Sequence, residues 1–216
     1  MIALDRVSYS VRDHAGRRVI LDHASFAFTP GIWHVSADPT GDARLLVRLL
    51  AGYHAPAEGR INCRGPRSWP VAQFAPFGPY LTGLDIIDTL CSLYAVERRG
   101  ALRLFHDLLD QPQWLAHRFD RWPQPAQRQF GHIAVLAPVF ETYLLDLSPV
   151  LPDGDFYRRW SELFRRRTQG RTVIIASGQH RAARRDFAGI GLVLAQGTLR
   201  RAAPDGVAAS PALAAE

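Results

Sequence analysis

The sequence predicts an α/β fold: a parallel sheet core, an N-terminal antiparallel β subdomain and a helical insert. Three observations predict it. In the first third of the chain, apolar and polar side chains partly alternate in short runs, as they do in half-buried strands. Between about residues 83 and 140 the apolar residues fall at helical spacing instead. After residue 142, aliphatic runs alternate with an amphipathic segment. Strands joined by crossover helices build a parallel sheet.

Taken in order, IALDRVSYSV (residues 2–11) is a half-buried strand, and RDHAGR is a turn. VIL (19–21) follows, and then a second strand, ASFAF (24–28), which ends at Thr29-Pro30-Gly31. IWHVSA (32–37) is a more buried strand, and ARLLVRLLAG (43–52) is a helix stopped by Gly52. YHAPAEGRI (53–61) is a turn leading into a short strand. Ile86, Ile87, Leu90, Cys91 and Tyr94 form one helical stripe; Leu102, Phe105, Leu108 and Leu109 form another. RWPQPAQ (121–127) breaks the chain, because proline inside a helix removes a donor and clashes with the preceding turn. The next helix is placed over Ala126 to Ala137. TYLLDL (142–147) is a buried strand with a carboxylate near its end. FYRRWSELFRRR (156–167) is an amphipathic helix with Phe156, Trp160, Leu163 and Phe164 on one side. TVIIAS (172–177) is a β-branched strand, and GLVLAQ (191–196) with GTLRR (197–201) is a hairpin turning at Gln196-Gly197. Residues 1–201 are expected to form a single domain with a helical subdomain at about 83–140, and 202–216 an Ala/Pro-rich loose tail.

Composition narrows the chemistry. All 26 Lys+Arg residues are arginine. With no lysine, Schiff-base catalysis is excluded, as is an ordinary P-loop, whose lysine holds the β- and γ-phosphates. The net charge of +6 favours anionic neighbours; codon bias is an alternative source of an arginine-only set. Cys63 and Cys91 fit no metal or disulfide pattern, and the histidines are scattered. No apolar stretch approaches a membrane span, and the N-terminus lacks a signal-peptide core, so a cytoplasmic location is expected.

Arg158, Arg159 and Arg166 on one predicted helix, with Arg181 and Arg184 on the next, could form an anion-binding face, since guanidinium forks recognise phosphate and carboxylate; a solvated helix face is the alternative. No nucleic-acid-binding module is recognisable. Phe74, Phe77 and Tyr80 lie in a Pro/Gly-rich loop and either dock a partner or pack in the core.

Several strings carry a resemblance: IALDRVSYS, HASFAFTPG, RLLVRLLAGYHAPAEGRI, SWPVAQF, LTGLDIIDTLCSLYAV, TYLLDL and TVIIAS. From Met1 to about Arg201 the chain resembles the ATP-binding subunit of ABC transporters, a P-loop NTPase-like fold. It is most similar to the subfamily that exports capsular and related polysaccharides. The resemblance places the P-loop on ADPTGDARL (37–45) and the aromatic-rich loop beside the permease groove.

The framework matches, but the expected chemical groups do not. A P-loop needs glycines that free backbone N–H groups for phosphate, a lysine, and a hydroxyl on Mg²⁺. Here the positions are Thr40, Gly41, Asp42, Ala43 and Arg44: Asp42 replaces the last glycine, Ala43 the lysine and Arg44 the hydroxyl. A carboxylate ~4 Å from a phosphate charge costs about 4 kcal/mol at an effective dielectric of 20, which Arg44 could partly offset. In the second nucleotide motif Asp146 remains, a candidate ion ligand or a strand-end carboxylate held by backbone N–H groups. The following glutamate, which polarises the attacking water, is Leu147. The signature loop falls on Pro123, Gln124, Pro125 and Ala126, with two donors removed by proline, and the switch histidine falls on Gly178.

These departures imply a pseudo-ATPase: no catalytic residues, no bound metal, and no ATP or Mg²⁺ as cofactor. The expected role is a binding, scaffold or regulatory subunit in polysaccharide export or synthesis. Its expected partner is an ABC permease, an active ATPase homologue or a polysaccharide synthesis or secretion component. A homo- or heterodimer is compatible with this, and any membrane contact would run through the partner, peripheral to the inner membrane. Two alternatives stay open: an ATPase completed by a partner subunit, and an arginine-based anion- or nucleotide-binding regulator.

Overall fold

The structure, a computed structural model, describes residues 1–14, 16–39, 41–71, 78, 80–146, 154–176 and 187–202. Two sheets share one helix. The smaller sheet is antiparallel, in the order β2-β1-β4, from β1 (Ile2–Asp13), β2 (Gly16–Phe28) and β4 (Glu58–Cys63). The larger has the order β5-β6-β7-β3-β8-β9. Its strands β3 (Gly31–Ala37), β5 (Arg67–Val71), β6 (Thr142–Asp146), β7 (Thr172–Ala176) and β8 (Ile190–Ala195) run parallel. Strand β9 (Thr198–Arg201) closes it antiparallel. Helix α1 (Gly41–Ala51) packs against both β2 and the larger sheet.

The central strands are apolar on both faces because both faces are covered. In β6, Tyr143 and Leu145 enter one core and Leu144 the other; in β7, Val173 and Ile175 oppose Ile174 and Ala176 in the same way. One core lies beneath α1 and the small sheet and holds Trp33, Val35, Leu46, Leu49 and Leu50. The other lies beneath α2 (Gly83–Tyr94), α3 (Arg98–Leu108), α4 (Gln124–Ala134) and α5 (Asp155–Arg167). There Trp160 stacks on Phe164 at 4.8 Å between ring centroids, and its Nε1–H donates to the His132 carbonyl at 2.7 Å.

Local chemistry sets the element ends. The sequence Thr82-Gly-Leu-Asp85 closes a capping box on α2: the Asp85 N–H donates to Thr82 Oγ1 at 3.1 Å, and the Thr82 N–H donates to Asp85 Oδ2 at 2.9 Å. The Thr82 hydroxyl, which donates to Asp85 Oδ2 at 2.6 Å, and the Thr82 N–H hold the Asp85 carboxyl below its ordinary pKa. The Glu97 carboxylate caps α3 by accepting from the Arg99 and Gly100 N–H groups.

Four sequence expectations need correction. The segments 19–21 and 24–28 are one strand, β2, because His23 takes a left-handed bulge conformation (φ 44°) and its N–H donates to Ser8 Oγ. Arg6 (φ 47°) makes a matching bulge in β1, with its N–H on Ser25 Oγ. Helix α1 starts at Gly41 rather than 43. Helix α4 spans Gln124–Ala134 rather than 126–137, since Pro125 sits in the first turn, where its missing N–H costs nothing. Strand β5 is an additional element; Pro70 is tolerated there because β5 lies at the sheet edge. The Gln196-Gly197 hairpin turn is present as expected, with both residues at positive φ. Ala202 is described and the rest of the tail lies outside the described residues.

Candidate functional site

The carboxyl ends of β3, β6 and β7 and the N-terminus of α1 meet at one end of the larger sheet, where open parallel sheets bind ligands. Register brings Asp146, the last residue of β6, opposite Ala176, and Ala176 opposite Val35. The β3–α1 connection is therefore the place to look for phosphate chemistry.

Two carboxylate–guanidinium pairs occupy it. Asp42, in the first turn of α1, is buried and ion-paired with Arg18 of β2. A carboxylate there is also favoured by the free N–H groups and dipole of the helix start. Arg44, one turn into α1, reaches across to β6: its Nε donates to Asp146 Oδ2 at 2.9 Å. The Asp146 side chain is only 1% exposed, against 39% for Arg44. Between them Ala43 is fully buried in the core under the helix.

The pairing differs from the sequence expectation. Arg44 pairs with Asp146, and Asp42 pairs with Arg18, which sequence reasoning missed. Asp146 has a guanidinium partner, not backbone donors alone. No local signal could have joined Arg44 to Asp146, which are 102 residues apart.

Other candidates scatter. Pro123 is the N-cap of α4, with Gln124 and Pro125 in its first turn, and no side chain caps that end. Instead, Gln127 Nε2 donates to the Phe119 and Trp122 carbonyls and ties the turn to the preceding loop. Tyr80 is 74% exposed, with the Arg118 guanidinium 4.9 Å over its ring. Thr40, Phe74, Phe77, Leu147, Gly178, Arg181 and Arg184 lie outside the described residues.

The arginines of α5 each have acceptors within the chain. Arg158 pairs with Asp155 at 2.8 Å, and Arg166 pairs with Glu162. Arg159 donates to the Asp107 carbonyl at 2.9 Å and to Asp110 Oδ1 at 2.9 Å, which fastens α5 to the end of α3. These guanidinium groups are engaged by the chain's own acceptors. Among the described residues no group of three or more His, Cys, Asp or Glu side chains could hold a metal ion, and no helix is long and apolar enough to cross a membrane.

A sheet of this order, a small antiparallel sheet over α1 and a helical insert between β5 and β6 together make up the ATP-binding cassette fold of ABC transporters. A dimeric cassette solved in a post-hydrolysis state with ADP and Pi superposes with a TM-score of 0.76, at 16% identity, over 95% of this chain and 100% of that one. In sequence the chain is similar to several ATP-binding proteins. It is 27% identical over 200 residues to the capsule polysaccharide export ATP-binding protein CtrD of Neisseria meningitidis serogroup B, covering 91% of each chain. It is 25% identical over 180 residues to the ATP-binding protein BexA of Haemophilus influenzae, covering 82% of each. No protein-family model matches the chain.

Proposed function

We propose that the chain is an ABC cassette without nucleotide turnover that serves a polysaccharide export or synthesis system as a binding or scaffold subunit. The observation that carries this reading is the Arg44–Asp146 pair. In a working P-loop the residue at the Arg44 position offers a hydroxyl to Mg²⁺, and the strand-end aspartate holds the same ion. A guanidinium on that aspartate is a permanent cation where a divalent one is needed, and it has no lone pair to bind metal. The other residues agree: Asp42 sets a buried carboxylate where a phosphate charge would lie, Ala43 supplies no ammonium, and Leu147 cannot accept a proton from water. ATP with Mg²⁺ does not fit these residues, and no phosphoryl-transfer step is assigned to them. The polysaccharide-export role rests on the name of the relative CtrD.

A second reading has support of its own. The relatives are named ATP-binding proteins, and Asp146 stands at the end of its strand as an ion ligand would. In that reading the chain is a divergent ATP-binding subunit that hydrolyses ATP only alongside a partner. Calorimetry with Mg-ATP, Mg-ADP and cyclic dinucleotides, followed by phosphate release with and without a candidate partner subunit, tests both. Silence throughout supports the scaffold. Mg-ATP binding with phosphate release above a boiled control overturns it and favours the second reading; heat from a cyclic dinucleotide alone points to an anion-reading regulator.

A further inference from the structure

In a P-loop protein the nucleotide and its metal are themselves structural: phosphates and Mg²⁺ tie the helix after the loop to the neighbouring strand ends. Here the chain supplies its own counterparts. Asp42 puts an anion at the start of α1, and Arg18 reaches it from the small sheet. Arg44 puts a cation against Asp146 at the end of β6. Read together, β2, α1 and β6 are linked in series by two ion pairs that use four side chains and no ligand. Both pairs sit at the end of the sheet where a bound nucleotide would do the linking.

We propose that these pairs are an internal clamp that substitutes for nucleotide and metal, holding the small sheet, α1 and the sheet core in one fixed arrangement. The inference rests on the reading that the cradle carries no nucleotide, and deepens it: the site is filled by the protein itself, so its conformation does not follow the nucleotide state. Geometry favours the clamp over two incidental surface pairs. Each joins elements far apart in sequence, and each has a poorly exposed carboxylate (12% for the Asp42 side chain and 1% for Asp146). A carboxylate shielded from water depends on its partner far more than an exposed one.

The test uses the full chain and two double-mutant cycles, Arg18→Gln with Asp42→Asn and Arg44→Gln with Asp146→Asn, read by urea denaturation and by amide hydrogen exchange. The clamp predicts coupling on the order of tenfold in the folding equilibrium constant for each pair. It also predicts faster exchange in β1, β2 and the first turn of α1 on loss of either arginine, with exchange in α2, α3 and α4 unchanged. Because Arg18 and Arg44 both reach solvent, the single Arg→Gln variants are expected to fold, and their exchange maps decide the matter even if a carboxylate variant does not. Coupling under about twofold, or exchange that is unaltered or raised evenly across the molecule, overturns the clamp. Nucleotide turnover by the wild type would instead overturn the functional reading, and it is measured separately, so the two failures are distinguishable.

Discussion

Replacing Arg44 by alanine is expected to harm the fold more than neutralising its partner. The Asp146 side chain is 1% exposed and that of Arg44 is 39% exposed. Without Arg44, a carboxylate loses its guanidinium where water barely reaches it; without the charge on Asp146, a guanidinium is left that still touches solvent. Deleting one partner of a fully buried pair costs ~3–5 kcal/mol, whereas exposed pairs contribute ~0–1 kcal/mol. This pair lies between those limits, so Arg44→Ala should cost about 2–3 kcal/mol and Asp146→Asn about 1 kcal/mol. For a chain of this length ~1 kcal/mol moves the melting temperature by about 2–4 °C. Scanning calorimetry at neutral pH should therefore show a drop of about 4–12 °C for Arg44→Ala and about 2–4 °C for Asp146→Asn. An Asp146→Asn loss equal to or larger than that of Arg44→Ala would refute the reasoning, because the hydration difference between the two ends would then not govern the cost.

Three further outcomes follow from other parts of the structure. Burial pushes the His132 imidazole below its ordinary pKa, opposed by the bond from its Nδ1–H to the Arg128 carbonyl and aided by the Arg128 charge. The folded state therefore binds fewer protons than the unfolded one, and the contribution of His132 is intact above the ordinary value of 6.5 and lost as pH falls below it. At most ~1.4 kcal/mol is lost per pH unit. Urea midpoints of wild type and His132→Gln across the acid range should converge, and parallel curves would count against this. His23, whose pKa is raised mainly by its bond to Asp22, works in the opposite direction: its contribution is present at low pH and fades as pH rises through its raised folded value. Trp160→Ala should cost ~3–5 kcal/mol by chemical denaturation, since it removes a fully buried ring stacked on Phe164 and the donor to the His132 carbonyl; a loss under about 1 kcal/mol would contradict the packing described. Arg158→Ala should change stability by less than about 0.5 kcal/mol, while Arg159→Ala should cost about 1–2 kcal/mol through its bonds to the end of α3. Equal losses would mean that the long-range tie is idle.

Much of the fold was legible because its signals are local. The doubly apolar runs of β6 and β7, the stripe on α2 and the Gln196-Gly197 turn each need only a few neighbouring residues to be read. What was missed depends on partners elsewhere. The join across His23 is invisible without Ser8 to satisfy its N–H, and β5 looks unlike a strand because Pro70 is acceptable only at an edge. The candidate site was half legible: the sequence located the β3–α1 loop and Asp146, but not their charge pairing. Arg18 was one arginine among many until the fold placed it beside Asp42, and the ties of Arg159 to Asp110 and the Asp107 carbonyl join residues about fifty positions apart.

The bulges at Arg6 and His23 have a joint consequence. Each of these two bulges adds one surplus residue, to opposite strands, so these two offsets cancel: Leu4 faces Phe26 before the kink and Tyr9 faces Leu21 after it, and a further shift at Ile20 of β2 follows before Ser10 faces Val19. Losing one of these two surplus residues alone would turn half a strand inside out; losing both would keep the register on either side of the kink. The hairpin would then keep only the irregularity at Ile20 between the kink and its tip. Arg18 lies beyond the kink, toward the tip, so an arm that has lost those two bulges should change direction relative to α1 and loosen its hold on Asp42 while leaving the ribbon itself intact.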